Sequence, residues 1–263
     1  MSTIYSKEQL ITRLREIQRM GWIQNRRQGN SGGIGNTLED LLGIEENNLP
    51  IPNASEWELK CQRSNTTSLT TLFHFEPSPR AIRFVPSILL PKYGWRHAEA
   101  GKKYPIAEMS FRQTISGASR SDRGFMLKID NIEQKIVVSF DSGSVDTRHD
   151  AWLATVEARV GDLEELNPQP YWGFADIYHK AGTKLLNTFY VIADCDRDST
   201  GLEYYNYNQI YKLTNFSFDG WLEAIKCGVL YVDFDARTGH NHGTKFRLRQ
   251  NELPRLYGSI ERI

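Results

Sequence analysis

Hydrophobic and polar positions follow two different periods along the chain, and these periods predict its helices and strands. Apolar side chains spaced three to four residues apart predict amphipathic helices over 7–20, 150–160 and 218–228. Alternation at every second residue predicts strands over 55–63, 68–75, 189–194, 229–237 and 244–249, with a hairpin over 125–140. This mixture predicts an α/β or α+β fold, and no sharp linker divides the chain.

A Gly/Asn-rich loop over 28–36 precedes a further helical stretch. Thr37 followed by Asp40 resembles a helix N-cap with an acid in the first turn. We therefore expect this helix to begin at Thr37 and to end near Asn47. Two prolines then break regular structure before the next strand.

The strand predicted over 55–63 carries the most informative polar pattern. Glu56, Glu58 and Lys60 share one face, and the apolar residues between them share the other. A Glu-x-Lys pair suits phosphodiester hydrolysis, since a carboxylate can hold Mg²⁺ while a lysine orients the attacking water or stabilises the phosphate. A solvated strand face with cross-strand ion pairs has the same pattern, so the pair needs support from the rest of the chain.

The composition is that of an ordinary globular protein. The 263 residues are 40% hydrophobic and 24% charged, which suits one large domain or two small ones. No apolar run is long enough to cross a bilayer, and the N-terminus lacks the layout of a signal peptide, so we expect a cytoplasmic protein without membrane contact. The formal net charge of zero is not the usual footprint of nucleic-acid binding, which would therefore need a local basic cleft.

The cysteines predict neither a disulfide framework nor a zinc site. Cys61, Cys195 and Cys227 form no Cys-x-x-Cys pair, and their number is odd. No Cys/His cluster has the spacing of zinc ligands. We expect three reduced thiols.

Short sequence blocks near both ends of the chain stand in an order typical of one family. The blocks are Gly21-Trp22, Arg26-Arg27, Gly29-Asn30, 33–42, 46–52, Glu58-Leu59-Lys60, 232–237 and 240–247. Together they resemble the MvaI/BcnI-type restriction endonucleases, whose catalytic core is similar to the MutH-like enzymes of the PD-(D/E)xK nuclease superfamily. The middle of the chain matches poorly. Several blocks in order are more specific than any single motif.

This resemblance implies a magnesium-dependent, type II-like endonuclease that cuts double-stranded DNA at a short GC-rich site of the CC-N-GG type and acts as a monomer. The implied fold is a mixed central sheet flanked by helices, with two lobes around a DNA cleft. We therefore expect a single nuclease domain over 1–263, with a catalytic lobe over about 1–140 and a recognition lobe over about 141–263.

The resemblance also implies roles for individual residues. Glu58 and Lys60 match the catalytic Glu-x-Lys pair, and Glu39 matches an upstream acid placed to hold a water. Asn241 stands where a relative has an acid, which leaves the base preference open. The residues assigned to DNA binding are His240, Asn241, His242, Lys245, Arg247, Asp233, Asp235, Arg237, Arg26 and Arg27. Further arginines, Arg112, Arg120 and Arg123, are not separated from ordinary surface arginines by sequence.

Asn53 departs from the family pattern, which has an aspartate five residues before the catalytic glutamate. An amide is a weaker Mg²⁺ ligand than a carboxylate. Three interpretations stay open: Asn53 coordinates through its carbonyl oxygen beside Glu58, Glu56 supplies the missing charge, or the protein binds DNA and cuts slowly or not at all. We favour retained activity because Glu39, Glu58 and Lys60 are all present. A MutH-like nicking enzyme is a further alternative.

Overall fold

The structure is a computed structural model that describes residues 5–29, 32–44 and 57–263. These residues contain six α-helices and fourteen β-strands. The helices are α1 (Lys7–Arg19), α2 (Gly33–Leu42), α3 (Leu90–Tyr93), α4 (Asp150–Val160), α5 (Phe174–Leu185) and α6 (Phe218–Lys226). The strands are β1 (Trp22–Gln24), β2 (Glu58–Arg63), β3 (Leu69–His74), β4 (Trp95–Arg96), β5 (Met109–Ile115), β6 (Arg123–Asp130), β7 (Lys135–Val145), β8 (Tyr171–Gly173), β9 (Thr188–Arg197), β10 (Glu203–Phe216), β11 (Leu230–Arg237), β12 (His240–Asn241), β13 (Lys245–Arg249) and β14 (Tyr257–Arg262). The predicted mixed α+β class is confirmed.

Backbone contacts divide the chain into two compact units, each assembled from separate stretches of sequence. The first unit is Met1–Ser68 with Lys180–Phe218 and Gln250–Ile263, and the second is Leu69–His179 with Asp219–Arg249. This differs from a sequential division near residue 140. The reason is that β9 and β10, from late in the chain, complete the sheet that contains β1 and β2.

The first unit is built on a mixed sheet in the order β1-β10-β9-β2, with β14 also paired to β10. The pairing of β2 with β9 is parallel, and the other pairings are antiparallel. Helices α1 and α2 bury Leu14 and Leu38 in one apolar cluster with Leu59 of β2 and Val191 of β9. Because side chains alternate across a strand, Glu58 and Lys60 lie on the face of β2 opposite Leu59.

The second unit contains two sheets. One has the order β3-β13-β11-β5-β4, with β12 also paired to β11, and the other has the order β6-β7-β8. Strand β11 alternates strictly, because Val232 and Phe234 are buried while Asp233 and Asp235 between them are only partly covered. This sheet therefore has one face in the core and one polar face.

The helix predicted to begin at Thr37 begins instead at Gly33. The assignment of Thr37 as an N-cap is wrong, because its hydroxyl lies buried inside the helix and donates to Asn25 Oδ1 at 3.3 Å. The predicted end near Asn47 is also wrong. The helix ends at Leu42, since Gly43 adopts a left-handed conformation with φ of 65°.

The other predicted helices are confirmed close to their expected bounds. Ser6 caps α1 through a capping box with Gln9. Gly228, with φ of 69°, donates its N–H to Ile225 O at 3.1 Å and ends the turn after α6. All three cysteines are free thiols. None of the helices in the described part of the chain is long and apolar enough to cross a membrane.

Candidate active site and nucleic-acid interface

Glu58 and Lys60 lie together at the start of β2, as the sequence pattern predicts. Lys60 Nζ donates to Glu58 Oε1 at 2.7 Å, and the two side chains are only 19% and 6% exposed. The backbone N–H of Glu58 donates to Asn187 O at 2.9 Å, and Thr188 is its partner in the parallel ladder. A buried carboxylate needs a charge partner, and Lys60 is that partner here.

The second carboxylate oxygen of Glu58 has no hydrogen-bond partner among the described residues. This oxygen, Oε2, is buried. Leaving such an oxygen unpaired is costly, and a metal ion would satisfy it. Mg²⁺ is usually held by one or two carboxylates, with waters and substrate phosphates completing its shell, so Glu58 fits a divalent cation.

The structure does not place every other residue of the predicted metal site. Asn53 and Glu56 lie outside the described residues. Within residues 5–29, 32–44 and 57–263, no group of three or more His, Cys, Asp and Glu side chains could hold a metal ion. Glu39 is partly exposed on α2, and its charge adds to the effect of burial in raising the pKa of the Cys61 thiol. Glu39 thus lies within electrostatic range of β2.

Lys184, in the last turn of α5, is a further cation near the Glu58–Lys60 pair. Burial lowers the pKa of Lys184; the Glu58 charge opposes this shift, and the positive charges of Lys60 and Lys180 add to it. The chain continues from Lys184 to Asn187, whose carbonyl holds the Glu58 N–H. Sequence reasoning missed Lys184, because α5 was not predicted and a lone lysine carries no signal of its own.

In the second unit, outward side chains of three neighbouring strands form a polar surface that we call the β11 face. Its members are Arg112 and Thr114 of β5, Asp233 and Asp235 of β11, and Lys245 and Arg247 of β13. Asp233 accepts a hydrogen bond from Thr114 Oγ1 at 2.8 Å and lies 3.3 Å from Arg247 Nη1. The structure therefore brings together residues that the sequence places more than a hundred positions apart.

Asp235 is shared by two cations of the β11 face. Arg112 Nε lies 2.9 Å from Asp235 Oδ1, and Lys245 Nζ lies 3.4 Å from Asp235 Oδ2. Asp235 is thus charge-compensated from both neighbouring strands. The sequence indicates a DNA-binding role for Asp235 and Lys245, whereas nothing in it distinguishes Arg112 from other surface arginines.

The loop after β11, which includes the short strand β12, contains two exposed residues and one partly buried residue of the predicted DNA-binding set. His240 and His242 are exposed, and their rings meet edge to face with centroids 4.2 Å apart. Asn241 between them accepts the Gly243 N–H at 3.0 Å. Asn241 therefore shapes the loop in this structure.

Glu76 anchors the same loop and was missed by sequence reasoning. Its carboxylate accepts the Thr244 N–H at 2.8 Å and the Thr244 hydroxyl at 2.9 Å, and Asn241 Nδ2 approaches it at 3.5 Å. A glutamate followed by proline in a Pro-rich segment gave no indication of a contact with residues so distant in sequence.

The remaining predicted DNA-binding arginines differ in their surroundings. Arg27 makes two contacts with Asp40, at 2.8 and 3.3 Å, and thereby ties the N-terminal segment to α2. Arg237 pairs with the buried Glu108 at 3.1 Å. Arg26, by contrast, is exposed.

Comparisons with known proteins give a family and similar solved structures. The model of the MvaI/BcnI restriction endonuclease family matches residues 11–257. A solved complex of restriction endonuclease MvaI with its cognate DNA substrate is 25% identical in sequence, with a TM-score of 0.73 over 98% of this chain and 99% of that one. A structure of MvaI in the absence of DNA is 24% identical, with a TM-score of 0.57 over the whole of both chains, and supports the fold alone. A search of curated protein sequences finds no match.

A restriction-endonuclease family match over most of the chain, together with the corresponding fold, defines a sequence-specific DNA endonuclease, a type II site-specific deoxyribonuclease. Within that class, the chain belongs to the MvaI/BcnI restriction endonuclease family, as its sequence blocks predicted. Restriction endonucleases of this kind generally depend on a divalent metal ion.

Proposed function

We propose that the protein uses Mg²⁺ to hydrolyse double-stranded DNA at a short GC-rich site of the CC-N-GG type, acting as a cytoplasmic monomer. The observation that carries the proposal is the buried Glu58–Lys60 pair, in which Glu58 Oε2 has no hydrogen-bond partner among the described residues. A carboxylate oxygen beside an ammonium group suits a cation and a phosphate side by side.

The roles of the side chains follow from their chemistry. Glu58 would hold the Mg²⁺ ion, with Asn53 or Glu56 supplying a further oxygen and Glu39 orienting a water. When bound, the ion offsets the charge of the phosphate and lowers the pKa of water, so that hydroxide becomes available as the nucleophile. Lys60, held by Glu58 Oε1 at 2.7 Å, orients the attacking water or donates to a phosphate oxygen.

We further propose that the first unit is the catalytic lobe and that the second unit recognises the DNA sequence. Glu58 and Lys60 belong to the first unit. The second unit contains the β11 face, where arginine, lysine and aspartate side chains are grouped. These residue types read base edges by hydrogen bonds to guanine O6 and N7 or to cytosine N4.

The proposal is tested by digesting a plasmid that contains every CC-N-GG sequence with the purified protein and MgCl₂, then sequencing the ends. Discrete fragments with a common end sequence are expected, and EDTA should prevent their formation. A plasmid left intact in both Mg²⁺ and Mn²⁺ would contradict the active enzyme. Conversion to open circles alone would favour the nicking alternative.

A second candidate function, a DNA-binding protein with weakened cleavage, is favoured by Asn53 in place of the family aspartate. In an active enzyme, Asn53→Asp is expected to leave cleavage at saturating Mg²⁺ unchanged and to lower the Mg²⁺ concentration needed, because a carboxylate binds Mg²⁺ better than an amide. Cleavage rates over a Mg²⁺ titration measure both effects. Cutting that appears only in the Asn53→Asp protein would instead support the DNA-binding function.

A further inference from the structure

The structure separates three arginines that the sequence leaves unranked. Arg120 donates to Gly124 O at 2.7 Å, and the Arg123 guanidinium lies 4.0 Å from the centre of the Trp95 ring. Both are thus engaged in the fold of the second unit. Arg112 differs, because its side chain is 53% exposed and stands on the β11 face.

Arg112 is held from one side by an aspartate. It lies opposite Asp235 in the antiparallel pairing of β5 with β11, and its Nε is the atom closest to the carboxylate, 2.9 Å from Oδ1. The contact is an ion pair without hydrogen-bond geometry, and Oδ1 accepts no hydrogen bond from the described residues. A small rotation of the guanidinium would complete that hydrogen bond. It would leave the two terminal nitrogens of Arg112 for another partner.

Arg247, which the family resemblance assigns to base reading, is bound to the protein through its terminal nitrogens instead. Its Nη1 lies 3.3 Å from Asp233 Oδ2, and its Nη2 donates to Leu69 O at 3.1 Å. Both terminal nitrogens of Arg247 are therefore used within the protein. The end of the guanidinium that forks onto a guanine is occupied in Arg247 and exposed in Arg112.

We propose that Arg112 is a specificity-determining residue that reads a guanine of the target site through its N7 and O6 atoms, with Asp235 as its positioning residue. A bidentate arginine is the commonest specific contact to guanine. A carboxylate that restrains Nε reduces the side-chain freedom lost on binding. Lys245, 3.4 Å from the other oxygen of Asp235, is restrained as a second donor beside the first. This inference rests on the proposed function of the second unit.

The test uses Arg112→Lys, which keeps the positive charge and removes the fork. Once the wild-type site is known from sequenced ends, kcat/KM is measured on the cognate duplex and on duplexes with each guanine replaced in turn by 7-deazaguanine, which lacks N7. Arg112→Lys is expected to lower kcat/KM on the cognate duplex by about 10- to 100-fold. At one position, replacement of guanine by 7-deazaguanine should lower the kcat/KM of the wild type. The same replacement should not lower the kcat/KM of Arg112→Lys any further.

Asp235→Asn should give a smaller loss at the same guanine, since it weakens the restraint and leaves the fork. The matched control is Arg148→Lys, which changes an exposed arginine that is likewise paired with an aspartate, 2.9 Å from Asp122. This control is expected to cut and discriminate like the wild type. Thermal unfolding of each variant checks that the fold is intact.

Three results would overturn the assignment of Arg112. The first is wild-type activity and discrimination in Arg112→Lys. The second is a uniform loss on all duplexes with 7-deazaguanine sensitivity unchanged, which would indicate a phosphate contact. The third is a wild type insensitive to 7-deazaguanine at every position. Failure of the proposed function differs from all three, because the wild type would then leave every duplex uncut.

Discussion

Lys60→Ala is expected to abolish DNA cleavage while leaving DNA binding in place, and Glu58→Ala should do the same. The two side chains form a buried pair at 2.7 Å, and no base-reading residue is assigned to β2. Loss of a positioned proton donor or acceptor typically costs about 10²- to 10⁴-fold in rate. Single-turnover cleavage measures the loss, and fluorescence anisotropy with labelled DNA in Ca²⁺ measures binding.

Lys226→Ala is the matched control for this pair, because Lys226 also pairs with a glutamate, Glu223 at 3.8 Å, but on an exposed helix surface. It should cut like the wild type. Lys60→Ala leaves Glu58 buried without its partner, so the unfolding free energy of the variant must be measured too. A folded Lys60→Ala protein that cuts at the wild-type rate would show that the pair is only structural.

Arg63→Met is expected to lower the free energy of unfolding by about 3 kcal/mol, because it removes the counter-charge of a buried glutamate. Glu203 is 9% exposed, and Arg63 Nη2 lies 2.8 Å from its Oε1. The Tyr205 hydroxyl and Asn25 Nδ2 donate to Oε2 at 2.6 and 3.0 Å. Arg63 is itself about a third exposed, which limits the loss. Urea denaturation monitored by circular dichroism measures this change in the free energy of unfolding.

The double variant Arg63→Met with Glu203→Gln should lose less than Arg63→Met alone, since no uncompensated charge remains buried. Arg13→Met is the surface control: its pair with Glu16 is exposed on both sides, and together with its hydrogen bond to Leu41 O at 3.2 Å it should change the free energy by only about 1 kcal/mol. Equal losses in Arg63→Met and Arg13→Met would contradict the role of the buried carboxylate.

The same network predicts how stability depends on pH. Burial is the largest single influence on the pKa of Glu203 and acts to raise it. The hydrogen bond from Tyr205 and the positive charge of Arg63 act in the opposite direction, and the net result is a lowered pKa. A group with a lowered folded-state pKa stabilises the fold above its unfolded pKa of about 4.3 and loses that contribution as pH falls through the folded value. The difference in unfolding free energy between wild type and Arg63→Met should therefore be largest near neutral pH and should decrease in acid. A constant difference across an acid titration would contradict this.

Non-local contacts decided several features that no local pattern could indicate. Strand β10, the longest in the first unit, was not predicted as a strand, because its register shifts between Asn206 and Gln209 and its outward residues are polar or aromatic. Thr37 resembled a helix cap, yet a side chain twelve residues earlier accepts its hydroxyl hydrogen bond inside the helix. Both errors arise where a partner from elsewhere in the chain overrides the local preference.

The sequence by itself determined the mixed fold class, most of the helices, half of the strands, the family, and the shared face of Glu58 and Lys60. These features depend on periodicity within a few residues or on blocks of residues in order, both of which can be read along the chain. Only the tertiary structure decided that Lys184 lies near this pair and that Glu76 holds the loop after β11. It also decided that Arg112, and not Arg120 or Arg123, lies on the β11 face. Each of these depends on which strands and helices become neighbours, and that is set by the packing of distant segments against each other.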